Sequence, residues 1–424
     1  MRTGISVQEA YDSVLGSAQP LRGENVPIFD ALGRCLTAPV VSQRQLPPAD
    51  CSAMDGYAVR LGALGSATPS NPVELRVAFE IPAGRAAHQA LEPLESARVF
   101  TGAPVPRTAE AVVRQEDTEV NGDHVRINIC PAPGEHIRNA GEDVQIGDEV
   151  LGVGCRIGPS EIGVLASLGR SGVEVHRRPR VAILSGGDEL VEIDGDVSGG
   201  RIVASNAYTL SAACRMLGAE PLYLGIASDR PESVGQLFRS ALAADCIVST
   251  AGVSVGDHDH VRPVLEKLGC RLDFWGVRMK PGYPLAFGRF DSVPGSGNGA
   301  GPLVFGLPGN PVSATVCFEQ FVRPVLLRMM GRRDLWRPIL EVRVVDRLVK
   351  KPGRLHFVRV TLERRDGEWQ ARSTGNQSSG VMTSMARADG LLIFPEEASE
   401  LIAGATAQVQ VLDESFFTRD SAGF

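Results

Sequence analysis

The 424 residues contain no Cys-x-x-Cys pair, no block of Lys and Arg, and no apolar stretch of about 18 residues. Each absence excludes a class of protein. The eight cysteines, Cys35, Cys51, Cys130, Cys155, Cys214, Cys246, Cys270 and Cys317, are scattered. Scattering fits buried apolar thiols in a reducing compartment and argues against a disulfide framework or a cysteine zinc site. A formal net charge of -7 without a basic patch disfavours nucleic acid as a partner, so any anionic ligand must be held locally. Met1 to Val14 has no basic segment followed by an apolar core, which indicates neither secretion nor membrane spanning. The expected setting is soluble and cytoplasmic.

Glycine is plentiful, and three of its loops are informative. The segments Val181-Ala-Ile-Leu-Ser-Gly-Gly-Asp-Glu-Leu190, Asp245-Cys-Ile-Val-Ser-Thr-Ala-Gly-Val-Ser-Val-Gly-Asp257 and Leu303-Val-Phe-Gly-Leu-Pro-Gly-Asn-Pro-Val-Ser313 are short apolar runs closed by small residues. Buried parallel strands look like this, and loops at their carboxyl ends are where open α/β sheets bind ligands. Glycine permits close backbone approach, and a helix starting after the loop aims unpaired N–H groups at an anion. One such loop is a weak motif; three in one series point to a site.

The length predicts several domains. The first residues read as a helix capped by Ser6, with Val7, Ala10, Tyr11 and Val14 on one face and an end near Leu32 and Gly33. Residues 137–178 carry a helix opening at Pro159-Ser160-Glu161 and stopping at Gly169, expected to pack beside the N-terminal one. These two pieces, 1–44 and 137–178, form a discontinuous scaffold domain. The 45–136 stretch between them is a β-rich inserted module with strands at Val73 to Phe79, Ala97 to Phe100, Ala111 to Gln115 and Val125 to Ile129. Over 179–331 strands alternate with helices, with Ser205-Asn206 expected as a cap, which predicts a three-layer α/β domain. Residues 332–424 return to strands and predict a small β-barrel. The Gly-rich 294–302 stretch reads as an exposed loop without chemistry.

Several residue types could do chemistry. Asp55 lies in a Gly-bearing turn before a strand, Thr101 sits in a rigid Pro-containing turn, and Arg138 stands near Glu142 and Asp143. Asp188 and Glu189 after Gly186-Gly187, with Asp257 and Asp259 after Gly256, offer hard oxygen ligands near a bound phosphate, an arrangement that suits Mg²⁺. His258 and His260 flank Asp259, but no third soft ligand supports a transition-metal site. Lys280, before Pro281-Gly282, can reach an oxyanion at a sheet edge. Asn310-Pro311 starts a helix over Val312 to Leu327 whose free N–H groups face Pro308-Gly309, with Ser313 as a further donor.

Taken together, Ser52-Ala-Met-Asp-Gly-Tyr57, Thr101-Gly-Ala-Pro-Val-Pro106, Gly141-Glu-Asp143, Gly187-Asp-Glu-Leu190, Gly252-Val-Ser-Val-Gly-Asp257, Lys280-Pro-Gly282 and Gly306-Leu-Pro-Gly-Asn-Pro311 resemble, in order over nearly the whole chain, the molybdopterin molybdenumtransferase family, which includes the E domain of gephyrin. The resemblance implies a homodimer of four-segment subunits with the active cleft shared between them. It also implies a reaction in which adenylylated molybdopterin and molybdate give molybdenum cofactor and AMP with Mg²⁺ assisting. Molybdopterin adenylyltransferase and molybdoenzyme maturation proteins are the implied partners. Asp55, Thr101 and Asp143 would complete the cleft, Glu189, Asp229 and Asp259 would be the acids of the α/β domain, and Lys280 would face molybdate or phosphate. Ser185, Gly186, Gly187, Gly252, Ser254, Gly256, Pro308, Gly309, Asn310, Pro311 and Ser313 would cradle the pterin nucleotide. Arg354 and Arg359, with Ser378 and Ser379, would approach from the C-terminal segment. Asp188, Glu189, Asp257 and Asp259 would hold the metal.

Two departures stand out. The family usually has Thr where Gly186 stands and commonly a second Lys where Tyr283 stands, and losing both groups weakens the hold on an oxyanion by roughly 1 to 3 kcal/mol. A diverged scaffold and molybdopterin adenylyltransferase are the rival readings. The first predicts a cleft poor in acids, and the second needs only the α/β domain.

Overall fold

The computed structural model describes residues 1–85, 87–250, 261–291 and 301–413. They divide into two compact units. The first comprises Met1–Val26, Gly33–Thr37 and Glu174–Phe424, and the second Pro27–Leu32 and Ala38–Val173.

In the first unit, seven strands form one sheet in the order Arg2–Ile5, Cys270–Val277, Ala286–Phe290, Leu303–Gly306, Cys246–Ser249, Arg180–Gly186, Glu220–Ala227. The three segments singled out by their glycine loops lie side by side and parallel at its centre. Val181, Ile183, Cys246, Val248, Leu303 and Phe305 face one way; Ala182, Leu184, Ile247 and Val304 face the other. Both faces are buried, which is why these strands read as continuous apolar runs without alternation. Helices Val7–Ser17 and Ser205–Leu217 and the helical stretch from Pro311 to Met329 cover the first face. Pro231–Ala241 and Val261–Lys267 cover the second. The expected three layers are present.

The N-terminal segment differs from its sequence reading. Ser6 does cap the first helix, in a reciprocal box with Glu9. The helix ends at Ser17, however, and a strand at Gly23–Pro27 and a 3-10 turn at Ile28–Asp30 follow. Pro20 interrupts the amide donors a longer helix would need. Val7, Ala10 and Val14 join the α/β core, not a separate scaffold, and Arg2–Ile5 adds an unexpected parallel strand beside Cys270–Val277. Ala204, not Ser205 or Asn206, is the cap of the helix that follows, and no side chain makes a capping hydrogen bond there.

Five strands close the C-terminal barrel. Leu355–Arg365 pairs with Glu368–Ser373 and Gly390–Phe394, Thr406–Val411 joins Gly390–Phe394 to Ile339–Val344, and the latter meets Glu368–Ser373. Val358, Val360, Leu362, Leu392 and Phe394 fill its interior, while Phe357 and Leu391 point outward into the α/β core. Arg359 shares the outward parity of Phe357. Between the two domains, the stretch expected as one helix over Val312 to Leu327 contains a π-turn at Phe318–Val322. Pro324 has no N–H to donate to Gln320 in a regular ladder, and the turn takes up that mismatch. The buried Gln320 side chain accepts from Tyr11 at 2.7 Å and donates to Gln410 of the barrel at 2.7 Å.

The second unit is built on a six-stranded sheet ordered Ala111–Arg114, Gly56–Val59, Glu95–Val99, Val73–Ile81, His124–Ile127, Thr118–Asn121. Apolar clusters lie around Tyr57 and Leu75 and around Ala97 and Val99. The helix Pro159–Ser167 packs on the Ile28–Asp30 turn. No helix among the described residues is long and apolar enough to cross a membrane.

Candidate functional site

Two cavities in the first unit collect the expected residues. The first, of about 440 Å³, opens at the carboxyl ends of the central strands and is lined by Ser185, Gly186, Glu189, Thr250 and the Pro308-Gly309-Asn310-Pro311 loop, with Asn206 opposite. Strand ends place these groups. Ser185 is fully buried and accepts from the Thr250 hydroxyl at 3.3 Å, and the Leu307 N–H donates to Ser249 at 2.7 Å. The Asn206 amide donates to the Gly309 carbonyl at 2.8 Å, fixing the proline-glycine loop to the start of the Ser205–Leu217 helix. Asn310 is the N-cap of the following helix, with Pro311 at its first position. Ser313 is instead buried in that helix and does not line the cavity.

Gly187 is buried beside the cavity at φ +141, and a Cβ there would run into the Glu189 carboxylate folded over it. The exposed Glu189 side chain could move aside; it is the positive φ that calls for glycine. Asp188 and Asp229, both exposed, sit on neighbouring loops, and the backbone N–H of each donates to the carboxylate of the other. Gly252, Ser254, Gly256, Asp257 and Asp259 lie outside the described residues. Among the described residues no three His, Cys, Asp or Glu converge to hold a metal ion.

The second cavity, of about 630 Å³, lies where Lys280 meets the barrel. Its wall carries Lys280, Lys350, Lys351, Arg354, His356 and Arg359, with Gln377, and contains no carboxylate side chain. Met279–Lys280 pairs with the barrel strand, setting Lys280 beside His356. Gly282 is held at φ +107 against Cys317 and Met279, which fixes the turn after Lys280. Among the described residues Arg359 is the largest fully buried side chain. Its Nη2 donates to the carbonyls of Asn376 and Ser378 at 3.2 Å each, while Nε and Nη1 have no partner. Burial holds its pKa below the usual arginine range. Ser379 accepts from the Val312 N–H at 3.0 Å, joining the Ser378-Ser379 turn to the start of the Pro311 helix.

Electrostatics make this wall unusual. Burial, and then Lys280, Lys350 and Arg354, push His356 down to about 4, so it is neutral near pH 7. Lys350 is also lowered, by burial, and its ammonium donates to the Glu396 carbonyl at 2.9 Å and lies 5.0 Å over the Phe394 ring. A wall of cations with no carboxylate in its lining is arranged to take up an anion.

In the second unit, Asp55 and Thr101 come together. The Asp55 carboxylate accepts the Thr101 N–H at 2.7 Å and its hydroxyl at 2.9 Å, and those two bonds hold its pKa below the usual range. Asp143 is exposed in the Gly141 turn, where its N–H donates to Leu46, and Arg138 pairs with Glu142 at 2.6 Å.

Sequence reasoning missed Lys350, His356, Gln377 and Thr250. The Lys350-Lys351 pair beside Pro352-Gly353 carried a signal, a charged turn next to Arg354; His356 carried none, because its placement depends on strand pairing.

Three family descriptions match the chain in succession: "MoeA N-terminal region (domain I and II)" over residues 5–169, "Probable molybdopterin binding domain" over 182–328, and "MoeA C-terminal region (domain IV)" over 341–412. A molybdopterin molybdenumtransferase of Nostoc sp. is 39% identical over 375 residues, covering 88% of this chain and 85% of that protein. Molybdopterin molybdenumtransferase 2 of Mycobacterium tuberculosis is 38% identical over 410 residues, covering 95% and 98%. The crystal structure of a molybdopterin biosynthesis MoeA protein from Pyrococcus horikoshii superposes with a TM-score of 0.81 at 30% identity, covering 96% of this chain and 99% of that one. With matches running through the N-terminal, α/β and barrel regions alike, the chain belongs to the molybdopterin molybdenumtransferase family.

Proposed function

We propose that this chain inserts molybdenum into adenylylated molybdopterin, releasing AMP and forming molybdenum cofactor. The observation that carries the reading is the basic wall around Arg359, whose lining holds no carboxylate, in the same unit as a glycine-lined cavity at the ends of parallel strands. The glycine cavity suits the phosphates of a pterin nucleotide, because its backbone can approach closely. The basic wall suits molybdate, a dianion: Lys280 and the exposed Arg354 can reach it directly, and Arg359, buried behind them with Nε and Nη1 unpartnered, adds positive charge.

The chain's own part in the reaction is then electrostatic. Lys280 and Arg354 hold the oxyanion with the buried Arg359 charge behind them, Ser185 and Asn310 orient the nucleotide end, and the fixed donors stabilise charge as the phosphoanhydride breaks. Asp55, held ionised by Thr101, and Asp143 would serve the same cleft from a partner subunit of a homodimer; light scattering tests that assembly, and a monomer would overturn it. The paired Asp188 and Asp229 carboxylates fit Mg²⁺, which commonly takes one or two protein carboxylates and leaves its other positions to phosphates and water. Bound there, the metal would supply charge neutralisation at the phosphate oxygens.

The test is AMP release from adenylylated molybdopterin, with and without molybdate and Mg²⁺. Release that depends on both is expected; tight binding without turnover would favour a scaffold. The adenylyltransferase reading is weaker, because the N-terminal and barrel regions also match the family.

A further inference from the structure

Arg354 stands at the mouth of the basic cavity, exposed, on a turn where Gly353 adopts φ +94 and donates to the Glu396 carbonyl at 3.0 Å. A long side chain in that position has many rotamers open to it. Its guanidinium nevertheless lies 4.4 Å over the centre of the Tyr283 ring. The ring is itself seated. Tyr283 accepts the N–H groups of Val277 and Leu285 at 2.9 Å each, and its ring rests over Gly276, where an added Cβ would come within 3.4 Å of the ring carbon bearing the hydroxyl. The hydroxyl lies over Gly4, where an added Cβ would stand 3.7 Å away. The ring thus lies flat against the backbone at Gly276 and Gly4, close enough that even an added Cβ would touch it.

The chemistry of the stack matters. A guanidinium over an aromatic face uses its flat face for the contact and leaves its in-plane N–H donors free for an oxyanion. We propose that Tyr283 is a positioning residue that holds the Arg354 guanidinium over the mouth of the basic cavity, so that Arg354 and Lys280 together engage the tetrahedral oxyanion substrate. The inference rests on the function proposed above and assigns a role to a side chain that carries no charge itself.

The experiment uses the full chain, varying molybdate at saturating adenylylated molybdopterin. Y283A raises KM for molybdate about two- to fivefold, the range of an exposed cation–π contact, and leaves kcat unchanged. Y283F, which keeps the ring, restores the parent KM. In an R354A background, Y283A adds nothing further. Calorimetric titration of the protein with molybdate alone shows the same ordering of affinities. Equal KM values for the parent and Y283A, or an undiminished Y283A effect in the R354A background, would overturn the proposal. If the parent's AMP release does not depend on molybdate, the functional reading fails separately, and the titration then decides the role of Tyr283.

Discussion

Asp188 and Asp229 are bonded to each other in both directions: the Asp229 N–H donates to Asp188 Oδ1 at 3.1 Å, and the Asp188 N–H donates to Asp229 Oδ2 at 3.3 Å. The reciprocal pair ties together the loops at the ends of the neighbouring strands Arg180–Gly186 and Glu220–Ala227, and sets two carboxylates side by side.

Because each carboxylate both fixes a loop and offers a metal ligand, its two roles separate by substitution. D229N keeps an acceptor for the Asp188 N–H and is expected to change stability by less than about 1 kcal/mol. AMP release should fall at least tenfold at low Mg²⁺ and recover partly at high Mg²⁺. A titration of rate against Mg²⁺ with parallel curves for parent and variant would remove Asp229 from the metal site.

Arg359 should show stability and activity moving in opposite directions. A buried guanidinium with two unpartnered nitrogens and no carboxylate beside it is a net burden on the fold, and replacing such groups by apolar side chains is often neutral or stabilising. R359M is therefore expected to keep or raise the melting temperature while molybdate-dependent turnover falls about a hundredfold or more. Loss of both together would mean that the bonds to Asn376 and Ser378 dominate.

His356 gives the protein a pH signature. Its pKa in the fold is about 4, against about 6.5 in an unfolded chain. Between those values the unfolded chain binds a proton that the folded one does not, so stability falls as pH falls from about 6.5 to about 4, with no further loss from this group below. H356Q should flatten that part of the curve. Melting temperatures followed across this range give the answer, and identical slopes for parent and variant would exclude His356 as the source.

G282A tests the turn after Lys280. At φ +107 an alanine is strained, and its Cβ would press on the Cys317 sulfur. Destabilisation of about 2 kcal/mol is expected from backbone strain and overpacking together. Denaturant unfolding measures it; a change within 0.5 kcal/mol, on the order of an ordinary surface substitution, would show that the turn relaxes freely.

The α/β layers were legible because Val181 to Leu184 and Leu303 to Phe305 are apolar on both faces and end in glycine. The barrel was partly legible. The hairpin into the strand Glu368–Ser373 is marked by Asp366-Gly367, which the structure uses with φ of +53 and +85. The basic cavity was half visible: Lys280, Arg354 and Arg359 stood out as charges in turns and strands. Lys350 and His356 did not, because the pairing of Met279–Lys280 with Leu355–Arg365 brings them in, and register between distant segments leaves no local trace. The N-terminal helix illustrates the same limit. Its apolar face was plain, but a face does not name its partner, and Val7, Ala10 and Val14 pack on the α/β sheet.

Phe357 and Leu391 belong by sequence to the barrel and by packing to the α/β core. The same barrel wall lends Arg359 to the cavity, and the Ser379 carbonyl beside it takes an N–H from the Pro311 helix. A cut near residue 331 would therefore divide a shared interior, leaving apolar holes on one fragment and bare phenylalanine and leucine on the other. The seam drawn by sequence similarity is not a seam for inheritance or engineering: grafting a foreign barrel onto this α/β domain means replacing both sides of the joint together.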